Sequence, residues 1–351
     1  MIAVRFSARG LVGLLAIALV SLSGLQAIAA DPPGGFYQGK RMTLFIGTGP
    51  GGGGYDTYAR LLGRHLGQHI AGAPAIVPQN RPGAGGLTMA NELYNTAPAD
   101  GTAIGVLPFS LHIQQMMDEP GVRFDANQFL WIGRLADADP LIVVRADSPA
   151  QTIEDAKTRE VLIGIPGVGS ASVLSLFATN NILGTKFKLI SGYQSGSEIR
   201  LAVERGEIHG TMSVLWGTNA DWIRQNKLTV MLRAAPRPYP GLDGVPTLVD
   251  FARNDDERRV LRLFSSYTEL GQSFAAPPKT PMDRVMELRR AFLATAADPA
   301  LRADANKMNI ELAVLSGEEV QKLVAQAMDL PGDLRARAIA ATKGNAVEKT
   351  P

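Results

Sequence analysis

The sequence predicts an α/β protein of two similar units, each a mainly parallel sheet flanked by helices. Short apolar runs bounded by glycine alternate with segments of helical periodicity, which is the order of a parallel sheet covered by helices. The same order restarts near residue 159. Each half also contains two glycine turns, and a proline begins the first turn of each half, at Pro50 and at Pro166.

The first half of the chain begins with the segment "MTLFIGTGPGGGGYDTYARLLGRHL". It predicts a buried strand at Met42–Gly47, a glycine loop, and a helix at Tyr55–Ile70 whose apolar residues recur at helical spacing. A strand at Ala75–Asn80, a glycine turn at Gly83–Gly86 with a following helix, and a strand at Thr102–Pro108 complete a βαβαβ series.

In the second half, Arg159–Leu183 predicts a strand, a glycine turn and a helix. Lys186–Ser213 predicts a strand, a second glycine turn at Gly192–Gly196, a helix and a strand. Two such units facing each other would place all four turns at a shared cleft, beyond the carboxyl ends of the strands, where open α/β sheets bind ligands. Alternatively, the two halves are alike only because all α/β units are.

Two apolar-rich passages predict how the chain connects the units. Residues 129–149 are suited to crossing from the first unit to the second, and residues 264–281 to returning. The predicted domains are a discontinuous first domain, residues 30–135 and 262–351, and a second domain, residues 136–261.

The C-terminal segment predicts helices that complete the first domain. Ser316 and Glu319 have the spacing of a capping box at the start of one of them. The last segment, Lys343–Pro351, is expected to be irregular.

The first 29 residues have the composition of a secretory signal peptide. Arg5 and Arg9 precede an apolar run, and Ala27–Ala29 offers a small-residue cleavage site. An uncleaved membrane anchor is the alternative, but the apolar core is short for a membrane span. We therefore expect export to the periplasm and no insertion of the mature chain into the membrane.

Charge and cysteine content exclude several classes of function. The chain has 35 Lys+Arg and 33 Asp+Glu, and the predicted signal segment contains two arginines and no acidic residue, so the mature chain is balanced. A balanced chain without a basic run lacks the electrostatic signature of nucleic-acid binding. The absence of cysteine excludes disulfides, thiolate nucleophiles and cysteine-bound metals.

The first glycine loop is open to a nucleotide interpretation, because Gly47–Gly54 contains two overlapping G-x-G-x-x-G matches. A dinucleotide fold also needs an acidic residue near the end of the second strand, and this strand ends in Asn80 and Arg81. A P-loop needs a Gly-Lys-Ser/Thr sequence, which does not follow the loop. The residues therefore argue against a nucleotide cofactor.

Other catalytic motifs are also missing from the sequence, which has neither G-x-S-x-G nor H-E-x-x-H. His65 and His69 have a helical i,i+4 spacing and could share a metal, although no carboxylate ligand is evident nearby and helix packing is the favoured interpretation. We predict a protein that is not an enzyme, with no catalytic residues, metal or cofactor.

What the glycine loops do predict is an anion site. A helix N-terminus offers unpaired N–H groups and a partial positive charge, and glycine lets a ligand approach the backbone. Thr48, Ser170 and Ser172 add hydroxyl donors. Asp56 has two interpretations: it caps the helix or complements its dipole, which is favoured, or it accepts a hydrogen bond from a ligand hydroxyl, amine or bridging water.

Several segments together resemble a known family. "PGGGGYDTYAR", "QNRPGAGGL", "ADGT", "GIPGVGSAS", "GVPTL", "AAPPKTP" and "ADPALR" are similar, in this order, to the tripartite tricarboxylate transporter substrate-binding proteins, also called Bug receptors. The resemblance runs from about Phe36 to Pro331. It implies a periplasmic-binding-protein-like (type II) two-domain Venus-flytrap fold that closes on a small carboxylate: a dicarboxylate, an amino-acid-like acid or an aromatic acid.

The resemblance also implies a receptor that delivers its ligand to a tripartite tricarboxylate-type membrane transporter, and we expect this receptor to be a monomer. It suggests a set of ligand-binding residues in the glycine turns and after later strands. These are Thr48, Gly51, Gly52, Gly53, Gly54, Tyr55, Asp56, Gly85, Ser110, Gly167, Gly169, Ser170, Ala171, Ser172, Tyr193 and Trp216. The chain departs from the family in the second domain, where "GSASVL" lacks a histidine and "ISGYQSG" replaces a "VPYKG"-like segment.

Two questions stay open at the level of sequence. Tyr55, Phe109, Tyr193 and Trp216 all lie near predicted strand ends and could sandwich an aromatic acid, or they could serve packing. The same binding could also serve an extracytoplasmic sensor for a histidine kinase or, less favoured, an exported enzyme.

Overall fold

The strands of the chain form two separate sheets. The computed structural model describes residues 35–51, 53–138, 140–165, 171–193, 196–215, 222–234, 241–344 and 347–349. Within these ranges each sheet has six strands, flanked by helices, and the predicted α/β class with two units is confirmed. The predicted signal segment, residues 1–29, lies outside the described residues.

The first sheet is built on the predicted βαβαβ series. Its strands are β1 (Arg41–Ile46), β2 (Ala75–Asn80), β3 (Ala103–Val106), β4 (Leu130–Arg134), β10 (Ser273–Ala276) and β11 (Leu315–Ser316), in the order β11-β4-β10-β3-β1-β2. β1 is parallel to β2 and β3, and β10 is antiparallel to β3 and β4. The predicted strands of the first half are therefore confirmed, two of them with shorter ends.

The second sheet repeats this arrangement. Its strands are β5 (Pro140–Arg145), β6 (Val161–Gly164), β7 (Phe187–Ser191), β8 (Gly210–Leu215), β9 (Leu228–Arg233) and β12 (Val347–Lys349), in the order β12-β7-β6-β8-β5-β9. β6 is parallel to β7 and β8, and β5 is antiparallel to β8 and β9. Five strands thus follow the order and directions of β2-β1-β3-β10-β4, so the two halves share a topology.

Helices cover both sheets. They are α1 (Gly54–His65), α2 (Leu87–Asn95), α3 (Leu111–Met116), α4 (Ile153–Thr158), α5 (Ala171–Ala178), α6 (Gly196–Arg205), α7 (Asp255–Leu270), α8 (Met282–Ala297), α9 (Pro299–Lys307), α10 (Gly317–Met328) and α11 (Gly332–Ala341). The capping box of Ser316 and Glu319 at the start of α10 is confirmed.

The helix predicted at Tyr55–Ile70 is shorter in the structure. α1 ends at His65, and the tighter 3₁₀ turn Leu66–His69 follows it. At this point the chain passes so close to the next segment that a Cβ on Gly67 would lie 2.4 Å from the carbonyl oxygen of Pro74.

Both faces of each sheet are buried. In β1, Leu44 and Ile46 join one apolar cluster while Phe45, between them, joins the cluster on the opposite face. In β5, Ile142 and Leu141 likewise belong to clusters on opposite faces. Alternate side chains of a strand point to opposite faces, so a nearly continuous apolar run is what a sheet covered on both sides requires.

The chain passes between the sheets three times in the described residues, the last time between β11 and β12, and the first two passages are hydrogen-bonded to each other. Residues 129–149 contribute β4 to the first sheet and β5 to the second, and residues 264–281 lead from α7 back to β10, as predicted. Three backbone bonds join the passages: Gln272 N–H to Ala136 O (2.7 Å), Leu135 N–H to Gln272 O (3.1 Å) and Ala138 N–H to Thr268 O (2.9 Å).

The C-terminal strand corrects one prediction. Lys343–Pro351 was expected to be irregular and to belong to the first domain, but β12 pairs in parallel with β7 of the second sheet. Val347 packs against the apolar core of the second unit, in which Ala338 and Ala341 of α11 are buried. The end of the chain therefore lies with the second unit, while the domain boundaries at 135/136 and 261/262 stay predictions.

Candidate functional site

The first glycine loop connects β1 to α1 at the carboxyl end of β1, which lies between β2 and β3. Gly51 and Gly53 have φ angles of +71° and +79°, a region that glycine adopts without steric cost. The N–H of Gly53 donates to the carbonyl of Gly51 at 2.9 Å. Gly52 lies outside the described residues. Glycine therefore permits the tight turn that leads into the helix.

The start of α1 carries backbone donors that the helix does not use. Gly53 is the N-cap residue, and no side-chain hydrogen bond caps it within the described part of the chain. The first turn of α1 begins with Gly54 and Tyr55. The N–H groups of a first helical turn lack acceptors within the helix, and they carry a partial positive charge. Such a helix end can accept a carboxylate as a hydrogen-bonded anion.

Thr48 adds a hydroxyl to this end of the sheet. Its carbonyl accepts a hydrogen bond from Asn80 Nδ2 at 2.7 Å, which fixes the backbone after β1. Its Oγ1 is buried and finds no hydrogen-bond partner among the described residues. Burying a hydroxyl without a partner costs free energy, so the group is suited to bonding with a ligand.

Asp56 organises the loop through its neighbours in the protein. Its carboxylate accepts from Gly51 N–H (2.9 Å), from Arg60 Nε at both oxygens (2.9 and 3.0 Å) and from Asn80 Nδ2 (2.9 Å). Burial alone would raise the pKa of Asp56, but the bonds from Arg60, Asn80 and Gly51 outweigh it and hold the pKa below its usual range. Protein donors thus occupy the acceptor positions that a ligand amine or hydroxyl would need.

Tyr55 is engaged in an aromatic stack. Its hydroxyl accepts from the backbone N–H of Phe109 at 3.0 Å, and its ring stacks on Phe109 with centroids 5.4 Å apart. Phe109 stacks in turn on Tyr267 of α7 at 5.3 Å. Burial raises the pKa of the Tyr55 phenol far above its usual range. Two of the four rings considered for an aromatic ligand are therefore packed against each other.

The second glycine turn of the first unit lies against the ends of two strands. Gly85, a predicted site residue, is exposed and has a φ of +64°. The neighbouring Gly86 has a φ of +95°, and a Cβ there would lie 2.5 Å from Pro108 Cγ. A Cβ on Gly47 would in turn lie 3.1 Å from Gly86 Cα. Turn and glycine loop are thus adjacent, as predicted.

Ser110 and His112 lie just beyond the aromatic stack. Ser110, a predicted site residue, is only 3 % exposed and precedes α3. His112 is fully buried, and its Nε2 lies 2.9 Å from Ser266 Oγ of α7. Burial lowers the pKa of His112 to about 3, so the ring stays neutral at physiological pH. His112 therefore serves packing between α3 and α7.

The second unit is described only in part at its predicted site. The strand β6 takes the place in its sheet that β1 takes in the first sheet, but the predicted site residues Gly167, Gly169, Ser170 and Trp216 lie outside the described residues. Ala171 and Ser172 begin α5, and their side chains are not described. Tyr193 packs over the end of β6, where a Cβ on Gly164 would lie 3.4 Å from its ring.

The pair His65 and His69 forms no metal site. His65 Nε2 lies 3.0 Å from Asp304 Oδ2, and His69 Nε2 lies 2.9 Å from Asp298 Oδ2, so each ring has its own carboxylate partner from the region of α9. Within the described ranges, no group of three or more His, Asp and Glu could hold a metal ion. The packing interpretation of this helix face is the better one.

Sequence reasoning missed two residues of this site. It treated Asn80 only as evidence against a dinucleotide fold, and it did not consider Arg60. The signals were present, because Arg60 lies one helical turn after Asp56, and Asn80 ends the strand that neighbours β1 in parallel. Residues so placed reach the same end of the sheet.

The two α/β units share the order and directions of five strands, and this two-domain fold is also that of solved periplasmic binding proteins. Residues 59–337 match the family described as "Tripartite tricarboxylate transporter family receptor". The chain belongs to this family. No helix of the described ranges combines the length and the apolar character that a membrane span requires.

Individual relatives are distant in sequence. A protein of Cupriavidus necator named "UPF0065 protein in gbd 5'region" is 24% identical over 311 residues, covering 86% of this chain and 89% of its own. A TctC solute-binding protein from Polaromonas is 23% identical, with a TM-score of 0.60 over 87% of this chain and 98% of its own. MatC from Rhodopseudomonas palustris, solved with malate, is 18% identical, with a TM-score of 0.65 over 87% and 99%.

Proposed function

We propose that the protein is a periplasmic receptor that captures a small carboxylate by closure of its two units and delivers it to a tripartite tricarboxylate-type membrane transporter. The observation that carries the proposal is the first glycine loop. Its helix N-terminus is free of side-chain caps in the described residues, and the buried Thr48 hydroxyl beside it has no described partner. Together these groups offer several hydrogen bonds to one carboxylate.

The ring contacts favour an aliphatic acid over an aromatic one. Tyr55 and Phe109 cover each other's faces, and Tyr193 packs on the end of β6. A ligand held mainly by backbone N–H groups and hydroxyls needs charge more than aromatic surface. The malate bound to MatC is an acid of this kind. The remaining predicted contacts, from Gly167 to Ser172 and Trp216, are part of the proposal.

A thermal-shift screen of the chain from residue 30 onwards would test this function. Mono-, di- and aromatic carboxylates would be compared with nucleotides. A ligand at a hundred times its dissociation constant stabilises a protein by about 2.7 kcal/mol, which is a clear rise in melting temperature. The proposal fails if no acid raises the melting temperature.

The same screen separates a receptor from an exported enzyme. Each stabilising acid would be incubated with the protein and then recovered for mass analysis. A receptor returns the acid unchanged, whereas an enzyme on this fold would alter it in amounts exceeding the protein.

A further inference from the structure

We infer that Asp56, Arg60 and Asn80 are positioning residues, which hold the first glycine loop in its binding shape and cancel the negative charge that Asp56 would otherwise place beside a bound acid. The role in binding rests on the proposed function. These three residues do not themselves need to touch the ligand. They act through their hydrogen bonds to the backbone of Thr48 and Gly51.

The first part of the inference is that Asn80 ties both sides of the loop together. Its Nδ2 donates to Thr48 O, before the glycines, and to Asp56 Oδ1, after them, at 2.7 and 2.9 Å. Its Oδ1 accepts from Arg60 Nη2 at 2.7 Å. A carbonyl and a carboxylate can only accept and a guanidinium can only donate, so the partners fix the orientation of the amide. One side chain therefore crosslinks β1, β2 and α1.

The second part concerns the glycine backbone. Asp56 Oδ2 accepts the N–H of Gly51 at 2.9 Å, so this amide fixes the loop and is not offered to a ligand. The donors that remain for a ligand are those of the first turn of α1, beginning at Gly54. Because Asp56 belongs to that same turn, its bond to Gly51 sets the position of the loop relative to these donors.

The third part is electrostatic. Asp56 is only 5 % exposed, and its pKa is held below the usual range, so it is ionised at neutral pH next to a predicted anion site. An ionised carboxylate by itself would repel a bound acid. The guanidinium of Arg60 spans both oxygens and makes the pair neutral, leaving the partial positive charge of the helix end to act on the ligand.

Another pair in the chain provides a matched control. On α7, Glu257 accepts from the Nε of Arg253, four residues away, and from a backbone N–H, which repeats the chemistry of Asp56 and Arg60. This pair lies near the start of α7, and its other described hydrogen bonds, to Asn254 and to the carbonyl of Ile182, involve no residue of a glycine loop. Arg253→Gln therefore removes an equivalent ion pair without touching the proposed site.

The binding test compares Arg60→Gln, Arg60→Lys, Asn80→Ala and Arg253→Gln by calorimetry with the acid that most stabilises the wild type. Arg60→Gln and Asn80→Ala should weaken binding about tenfold or more, and Arg253→Gln less than twofold. Arg60→Lys restores the charge and should recover part of the loss. The defect of Arg60→Gln should shrink at high salt, because salt screens the repulsion from Asp56.

A second measurement needs no ligand, so it separates this inference from the proposed function. Hydrogen–deuterium exchange of peptides covering residues 47–58 should be about tenfold faster in Asn80→Ala than in the wild type and unchanged in Arg253→Gln. If no acid binds the wild type, the proposed function fails, and the exchange data still decide whether the network holds the loop. Equal exchange in Asn80→Ala and the wild type would overturn the positioning role, and tight binding by both site variants would overturn its effect on affinity.

Discussion

Five strands have the same order in the two sheets, but the sixth strand is added at opposite edges. In the first sheet the sixth strand, β11, lies beside β4, and β2 ends with Asn80 in the side-chain network of the glycine loop. In the second sheet β12 lies beside β7, the counterpart of β2, and β7 carries Ile190 at the register position of Asn80. Equal topology therefore leaves room for unequal chemistry at the strand ends.

The difference lies in what each unit adds to the main-chain pairing of β1 with β2 and of their counterparts β6 and β7. The first unit uses charged and amide side chains that also reach the loop. The second uses main-chain pairing with β12, to which Ser191 adds a bond to the carbonyl of Glu348 at 3.0 Å. We expect the first unit to be sensitive to polar substitutions at its loop and the second to changes at the C-terminus.

The largest expected effect is on stability, and it compares alanine substitutions at Gly86 in the first unit and Gly164 in the second. Gly86→Ala places a Cβ 2.5 Å from the rigid ring of Pro108 at a φ of +95°, whereas Gly164→Ala meets the movable end of Ile208. Overpacking together with left-handed backbone should cost about 3 kcal/mol at Gly86 and about 1 kcal/mol at Gly164. Urea denaturation of both variants would measure this, and equal losses would contradict the comparison.

The second prediction compares one histidine from each half, the buried His112 and the partly buried His209. Burial lowers the pKa of His112 to about 3, against about 6.5 in an unfolded chain. The neutral ring is favoured by folding, so stability is full above pH 6.5 and falls by ~1.4 kcal/mol per unit as the pH drops towards 3. At pH 5 this amounts to about 2 kcal/mol.

His112→Gln should therefore flatten the pH dependence of the unfolding free energy between pH 6.5 and 4. His209 in the second unit is only partly buried, and its pKa is lowered by burial and by Arg145. His209→Gln should flatten the curve less. If His209→Gln flattened the pH dependence of the unfolding free energy more than His112→Gln does, the difference in burial would not govern acid sensitivity.

The third prediction compares two acids at the same helical position. Asp56 is the third residue of α1 and bonds the glycine loop, whereas Asp155 is the third residue of α4 and bonds its own N-cap, Thr152. Asp56→Asn leaves buried donors poorly matched and should cost roughly 1–2 kcal/mol at pH 7. Because the pKa of Asp56 is depressed, its contribution is present above about pH 3.9 and is lost as the pH falls through the folded value.

The measurement is the unfolding free energy of Asp56→Asn and Asp155→Asn at pH 7 and at pH 3. Wild type and Asp56→Asn should converge on acidification. A gap between them that stays constant down to pH 3 would mean that the charge of Asp56 is not what the network stabilises.

The smallest effect is expected at the edge of the second sheet. Lys188 Nζ lies 3.0 Å from Glu348 Oε1, and both side chains are largely solvent-accessible. Exposed pairs of this kind contribute little to stability, so Glu348→Gln should leave the free energy of unfolding almost unchanged. Removing residues 345–351 should cost more, because β7 then loses its outer strand partner, β12, and stays paired with β6 alone. If the two changes lowered stability by similar amounts, the ion pair and not the strand β12 would account for the stability of this sheet edge.

The fold could be predicted from sequence because its signals are local. Alternating apolar runs and glycine turns gave the strands of the first half and both crossings, and motif order gave the family. The strand β12 could not be predicted, because Val347–Lys349 is too short to show a periodicity and gains its partner from β7, far away in the chain.

The site was predicted only as a location. The glycines identified the loop, but the role of Asp56 depends on Asn80, which is distant in sequence and meets it only after β1 and β2 pair. Likewise, the stacking of Tyr55 on Phe109 and Tyr267 joins three segments whose sequences do not reveal the contact. The spacing of residues within one segment predicts helices and strands. Contacts between distant segments, which spacing does not show, decide which polar groups remain available to bind a ligand.

The paired crossings have a consequence for how the units can move. A single connection would act as a swivel, about which one unit could rotate freely. Here two connections are joined by backbone bonds between Leu135, Ala136 and Gln272, and a Cβ on Gly271 would lie 2.1 Å from the carbonyl of Ala136. Together with the third connection, between β11 and β12, these two connections restrict rotation of one unit about the other. We therefore expect the closure proposed above to be a bending of these connections, which returns the two units to one mutual alignment.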